Sequence, residues 1–284
     1  MVEAGKTAMR KGMRVIITGA STGIGRALAV QLAKEFQAWL ILNARGSEDL
    51  EKAAEDVRQA GGKAICVTGD VSDEKVCLEL LDKCKSEFGG VDVLINNAGL
   101  AKTGPMPALT VEDWRYVFEV NFFAALNLTY KCMPDFLEQG YGKVVNIASV
   151  AGKVSFPGSV CYAASKFALT GFSEGMAAEL AGKVDTITVC PGWVRTEFFK
   201  RNQTAEDPSA IAEQGDLRGW LMRNVLSISS EQAANDTVKA MKRGGSHEIV
   251  LTAPGIVVER MSGIFPEFTQ YLSSLVPAER RLRR

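Results

Sequence analysis

Histidine is almost missing from this chain: His247 is the only one in 284 residues. A zinc site of the usual histidine–cysteine kind needs more than that, and the cysteines offer no substitute. Cys66, Cys77, Cys84, Cys132, Cys161 and Cys190 are scattered, with no Cys-x-x-Cys pair among them. No metal centre is expected, and the six read as reduced, buried thiols of a cytoplasmic protein. An excess of charge is missing too. Lys and Arg number 33, Asp and Glu 33, which leaves no broad basic surface for nucleic acid. No apolar run approaches the roughly 18–20 residues of a spanning helix. The polar, basic start has no signal-peptide pattern. Residues 1–12 are expected to be a flexible arm and 13–284 one domain.

What is present is an alternation. Short runs rich in Val, Ile and Leu fall at Arg14–Thr18, Leu40–Asn43, Ala64–Thr68, Val91–Ile95, Val144–Ala148, Thr186–Cys190 and Glu248–Leu251. Continuous apolar runs are what strands buried on both faces of a parallel sheet require. Amphipathic stretches separate them, as in Leu28, Leu32 and Phe36, or Val76, Leu80 (or Leu81) and Cys84. Ser229-x-x-Gln232 and Thr110 before Glu112 and Asp113 mark helix starts. Repeated β–α alternation predicts an α/β fold, a doubly wound, mainly parallel seven-stranded sheet with helices on both faces.

The first strand runs into Thr18-Gly19-Ala20-Ser21-Thr22-Gly23-Ile24-Gly25, and a helix follows. Glycine permits the tight turn and lets backbone approach a pyrophosphate, while the helix N-terminus offers amides and a positive dipole end. The second strand ends in Asn43-Ala44-Arg45-Gly46 with no acid at its tip. A carboxylate there would accept from a free ribose hydroxyl, whereas an arginine suits a 2′-phosphate.

Ser149 follows the fifth strand, and Tyr162-Ala-Ala-Ser-Lys166 comes next. On a helix the i, i+4 spacing puts Tyr162 and Lys166 on one face. Hydride transfer to a carbonyl needs a proton donor aligned with the oxygen, and a phenol with a pKa of about 10 needs help near neutrality. A nearby ammonium lowers that pKa, and Lys166 with a positively charged oxidised nicotinamide would supply that field. Ser149 is placed to hydrogen-bond the reacting oxygen.

The order of these motifs, Thr-Gly-x-x-x-Gly-x-Gly, Asn96-Asn97-Ala98-Gly99, a serine after strand five and Tyr-x-x-x-Lys, resembles the classical branch of the short-chain dehydrogenase/reductase family over nearly the whole chain. The resemblance implies a carbonyl/alcohol oxidoreductase with catalytic Asn121, Ser149, Tyr162 and Lys166, Asn121 holding a water that links Lys166 to solvent. It implies cofactor contacts from Gly19, Ser21, Thr22, Gly23, Ile24 and Gly25, from Asp70 and Val71 at the adenine, and from Asn97, Ala98, Gly99, Tyr162 and Lys166. Pro191, Gly192, Val194 and Thr196 would lie beside the nicotinamide. Ala44 stands where NAD-preferring members often carry Asp, and Arg45 follows, a pattern similar to that of members using NADP(H).

The stretch 193–228 is expected as a substrate loop. Phe198, Phe199, Trp220, Leu221 and Met222, with Phe156 and Val160, suggest a small-molecule hydrophobic carbonyl or alcohol. Over 254–284, Val257, Met261, Ile264, Phe268, Tyr271 (or Leu272) and Leu275 recur at helical spacing, with Pro266 as a break and a basic end at Arg280–Arg284. Packing on the same chain, covering the site or joining subunits of a homodimer or homotetramer is favoured over peripheral membrane contact. The competing function is an NADP(H) sensor or scaffold without turnover. An epimerase or dehydratase of the extended branch fits less well, because that branch spaces its glycines differently.

Overall fold

The computed structural model describes residues 9–198 and 220–274. Each of the seven apolar runs overlaps a strand, with ends that differ by no more than two residues. These are β1 (Arg14–Ile17), β2 (Trp39–Ala44), β3 (Lys63–Thr68), β4 (Val93–Asn96), β5 (Lys143–Ile147) and β6 (Asp185–Cys190), with His247–Val250 as the last. They form one sheet, ordered β3-β2-β1-β4-β5-β6 and then His247–Val250, with every pairing parallel. The chain order reverses between β1 and β4. A crevice opens at such a point because the connections on its two sides leave toward opposite faces.

Helices cover both faces: α1 (Gly23–Phe36), α2 (Ser47–Gln59), α3 (Glu74–Phe88), α4 (Val111–Phe118), α5 (Ala124–Gln139) and α6 (Val160–Glu179). Strand side chains alternate between the layers, as a period of two demands. Val15 and Ile17 pack with Leu28 and Leu32 of α1 and Leu50 of α2. Ile16, between them in sequence, packs on the opposite face with Leu80 of α3 and Leu128 and Phe136 of α5. All these side chains are fully buried.

The helix ends follow local chemistry. Asp73 caps α3 by accepting from the Lys75 amide, and Gly89, at φ 81°, ends it. Thr110 and Asp113 make a reciprocal capping box at the start of α4. Between α4 and α5 the helix widens into a π turn at Glu119–Phe123. The sequence reads only as a helix there.

The second difference lies at the ends of the expected substrate loop. β7 (Trp193–Arg195) pairs in parallel with β8 (Ser227–Ser229) as a two-stranded ribbon, and Arg195 Nη1 donates to Ser227 Oγ at 2.7 Å. Ser229 then caps α7 (Ser230–Arg243) by accepting from the Gln232 amide. After α7 the strand His247–Val250 is β9, followed by α8 (Ala253–Ile264) and α9 (Pro266–Ser274), which separate at Phe265 just before Pro266. Near the N-terminus, Arg10 and Arg14 share Asp92 at 2.9 and 2.6 Å, which ties residues 10–14 to the start of β4. Phe199, Leu275 and Arg280–Arg284 lie outside the described residues. Among the described residues no helix is long and apolar enough to cross a membrane, and no cluster of potential metal ligands forms.

Candidate functional site

The crevice at the C-terminal edge of β1 and β4 is built by glycines that have no room for a side chain. Gly19 and Gly23 take left-handed backbone, at φ 64° and 57°. A Cβ on Gly25 would lie 2.4 Å from the Gly19 carbonyl oxygen and 2.5 Å from Asn97 Nδ2. The loop therefore folds tightly onto β4 only with glycine at these places. Asn97 fastens it from the other side: its Nδ2 donates to the carbonyls of Thr18 and Gly19 at 3.0 and 2.9 Å. Thr18 Oγ1 accepts from the amides of Asn97 and Ala98 at 3.1 and 3.0 Å. Thr18 opens the glycine motif in the sequence, but its double bridge depends on a partner 79 residues away.

Ser21 is buried, and Thr22 starts α1 without using its side chain as a cap. The first turn of α1 carries no acid. The helix dipole and N-terminal amides are thus available to an anion, which fits the pyrophosphate of a dinucleotide. Ile24 packs against Val194 and Ile228, joining this loop to the ribbon.

Arg45 lies past the end of β2, and its Nη1 donates to Tyr116 Oη at 3.1 Å. Tyr116 Oη sits 3.4 Å from Asp70 Oδ2. Asp70 Oδ1 accepts from Ser72 N and Oγ at 3.0 and 2.7 Å. Burial opposes charge on Asp70, but the Ser72 bonds, Arg45 and the Tyr116 hydroxyl together hold its carboxyl below the usual range. Val71 is buried beside it. Tyr116, on α4, had no sequence signal: it is one aromatic in an amphipathic helix.

Further along the edge, Asn96 Nδ2 donates to Asn146 Oδ1 at 2.8 Å, and Asn146 Nδ2 to Ser173 Oγ at 2.8 Å. This buried ladder ties β4, β5 and α6 together beneath the crevice. Asn121 occupies the π turn. Its Oδ1 accepts from Leu100 N at 2.8 Å, and its Nδ2 donates to Leu100 O and Ser165 Oγ at 2.9 Å each. Ser165 lies on α6 between Tyr162 and Lys166. A Cβ on Gly99 would lie 3.3 Å from Asn121 Oδ1 and 3.4 Å from Lys166 Nζ, so these three positions meet.

Ser149 takes extended backbone after β5, and its Oγ accepts from Ala151 N at 3.0 Å. Tyr162 and Lys166 occupy successive turns of α6. Lys166 Nζ donates to the Ile147 carbonyl at 2.9 Å and lies 5.9 Å from the Tyr162 ring centre. The sequence reading gives Lys166 and a bound oxidised nicotinamide together as the field that lowers the phenol; the protein without the cofactor starts from the other side. Burial pushes the Tyr162 phenol up to about 12, only partly opposed by hydrogen bonding with Ser149. Burial also pushes the Lys166 ammonium down to about 8. In both, withdrawal from water penalises the charged form.

Pro191 O accepts from Val150 N at 2.9 Å. Gly192 is a close approach, since a Cβ there would lie 2.0 Å from Thr252 Oγ1. Val194 is buried, and Thr196 Cγ2 would lie 3.2 Å from a Cβ on Gly23. The Pro-Gly segment and the glycine loop are thereby brought together. On the other side of Tyr162 the surface is apolar. The Phe198 ring centre lies 6.0 Å from that of Tyr162, and Phe156, Val160 and Trp193 are each more than a third exposed.

A glycine-cradled helix N-terminus at the turning point of a parallel sheet defines a dinucleotide-binding protein. Residues 13–207 match the short chain dehydrogenase family, and the chain belongs to the classical short-chain dehydrogenase/reductase family. It is 38% identical to a protein named ketoacyl reductase HetN from Nostoc sp. (strain PCC 7120), over 86% of this chain and 80% of that protein. It is 30% identical to the 3-oxoacyl-acyl-carrier-protein reductase FabG of Escherichia coli K12, over 84% of this chain and 99% of that one. A crystal structure of a short-chain dehydrogenase/reductase from Burkholderia phymatum in complex with NAD is similar at a TM-score of 0.79 and 28% identity, covering 92% of this chain and 96% of that one. The chain is thus an oxidoreductase acting on carbonyl or alcohol substrates with NAD or NADP, which sets aside the sensor or scaffold without turnover.

Proposed function

We propose that this enzyme prefers NADP(H) and reduces hydrophobic ketones, with Tyr162 as the proton donor. The observation that carries the reading is the placement of Tyr162: its ring lies 6.0 Å from that of Phe198, one helical turn from buried Lys166, whose Nζ bonds the Ile147 carbonyl. Ala44 and Arg45 at the tip of β2 support the cofactor preference, because a guanidinium suits a 2′-phosphate that a carboxylate would repel.

In this reading the Gly19–Gly25 loop, with Ser21, Thr22 and Ile24, holds the pyrophosphate. Asp70 and Val71 hold the adenine, Asn97, Ala98 and Gly99 line the cleft, and Pro191, Gly192, Val194 and Thr196 hold the nicotinamide end. When bound, the reduced cofactor supplies a hydride to the carbonyl carbon. Ser149 Oγ and Tyr162 Oη both hydrogen-bond the carbonyl oxygen and stabilise the charge gathering on it. Tyr162 gives its proton to that oxygen, and the Lys166 ammonium offsets the phenolate left behind. Asn121, locked by three hydrogen bonds, holds the water through which the proton is replaced. The relatives named as ketoacyl and 3-oxoacyl reductases favour a 3-oxoacyl chain among hydrophobic ketones. An exposed row from the end of the π turn along α5, Phe123, Tyr130 and Leu137, supports a homodimer or homotetramer, and light scattering at the monomer mass would remove it.

The test is NADPH oxidation over a panel of 3-oxoacyl thioesters, aromatic ketones and small polar ketones. Efficiency is expected to be highest on the first group and lowest on the last. Equal or better efficiency with NADH, or a preference for small polar ketones, would overturn the corresponding half of the reading.

A further inference from the structure

We propose that Tyr116 is a positioning residue for cofactor choice, holding Arg45 in the attitude that meets a 2′-phosphate. The inference rests on the NADP(H) preference proposed above. Arg45 is exposed and past the end of its strand, so its backbone gives the guanidinium no fixed direction. A free arginine of that kind loses much rotamer freedom when it grips a ligand. Here the side chain is not free. Its Nη1 donates to Tyr116 Oη at 3.1 Å, and that hydroxyl faces Asp70 Oδ2 at 3.4 Å.

The phenol can hold both partners at once, because it accepts with one lone pair and donates with its only proton. Asp70 is itself anchored through its other oxygen by Ser72 N and Oγ, so the chain Arg45–Tyr116–Asp70 ends on a fixed point. Tyr116 comes from α4, across the crevice from β2, and the bond joins two elements 71 residues apart. The guanidinium has five N–H donors, so this hydrogen bond leaves most of them for a phosphate. The hydroxyl orients the arginine without setting a carboxylate directly on the guanidinium, and keeps the Asp70 carboxylate one hydrogen bond further away. The ordering cost of the arginine is thereby met before the cofactor arrives, the usual route by which preorganisation raises affinity.

Tyr116→Phe removes the hydroxyl and leaves the ring. Initial rates with NADPH and NADH on the wild type, Tyr116→Phe, Arg45→Ala and the double variant give the test. Tyr116→Phe is expected to raise KM for NADPH about three- to tenfold, to change kcat less than twofold, and to lower the NADPH-over-NADH efficiency ratio by the same three- to tenfold. In the double variant the ratio should equal that of Arg45→Ala alone, since the hydroxyl acts only through the guanidinium. A merely structural tyrosine would lower efficiency with both cofactors equally and add its effect to that of Arg45→Ala, which overturns the proposal. A higher NADPH preference in Tyr116→Phe would also overturn it, by showing that the bond holds Arg45 away. If Arg45→Ala lowers the ratio and Tyr116→Phe does not, this inference fails while the NADP(H) reading stands. If the wild type shows no preference for NADPH, both fail together.

Discussion

The two walls of the crevice are held by different forces. On the glycine-loop wall, directional bonds converge: four hydrogen bonds join Thr18 and Gly19 to Asn97 and Ala98, and a methyl group on Gly25 has nowhere to go. On the wall beyond Tyr162, the Phe198 ring contacts that of Tyr162, and Phe156, Val160 and Trp193 leave apolar surface exposed. Hydrogen bonds fix both distance and angle, whereas apolar contact is non-directional. One wall is therefore built to hold a single ligand in one pose. In the proposed reading the other takes the ketone by shape and hydrophobicity, so a change there should alter which ketone fits without moving the chemistry.

The comparison breaks hardest at the residue between the walls. Tyr162→Phe should cut kcat by about 10³-fold, within the range of a lost general acid; steady-state rates at saturating NADPH check it. Gly25→Ala comes next. The added carbon would strain the loop by about 1–3 kcal/mol, so dinucleotide affinity should fall roughly ten- to hundredfold, read by fluorescence titration.

Lys166 gives a test with opposite signs. Its pKa lies below the ordinary lysine value, at about 8 against 10.5, so the unfolded chain holds that proton more tightly. The resulting destabilisation is full below about pH 8 and is relieved as pH rises toward 10.5. Lys166→Met should lose most activity yet melt higher than the wild type at pH 7, with the gain shrinking between pH 8 and 10.5. Thermal scans across that range check it, and a lower melting temperature at pH 7 would contradict it. In the wild type, ketone reduction should fall as pH rises through about 8, where the Lys166 ammonium is lost. The smallest effect belongs to the apolar wall. Phe198→Ala should raise KM for long or aromatic ketones about three- to tenfold, with little change for the smallest ones.

The same contrast explains what the sequence disclosed. Strands buried on both faces must be continuous apolar runs, so Val15–Ile17, Leu40–Leu42 and Val144–Val145 announce the sheet without knowledge of their partners. The glycine loop is legible because Gly19 and Gly25 answer local demands, a left-handed turn and a close approach. Tyr162 and Lys166 are legible as a spacing on one helix. The Trp193–Arg195 and Ser227–Ser229 ribbon is not: each strand has three residues, too few for a period, and its partner lies more than thirty positions away. The π turn at Asn121 has no local mark either, and the partners of its side chain, Leu100 and Ser165, lie 21 and 44 positions away. Tyr116 became visible only when α4 was placed across from β2. The burial that raises the Tyr162 phenol in the protein alone is likewise a property of the folded whole, and the four-residue spacing to Lys166 says nothing of it.

The most direct test of the two-wall account is one NADPH fluorescence titration run on wild type, Tyr162→Phe and Gly25→Ala, beside turnover of one 3-oxoacyl thioester. The account predicts that Tyr162→Phe binds NADPH within about threefold of the wild type while losing turnover, and that Gly25→Ala loses binding first. If Tyr162→Phe lost binding in proportion to turnover, or if Gly25→Ala bound as well as the wild type, the division between a wall that holds the cofactor and a residue that moves the proton would be contradicted.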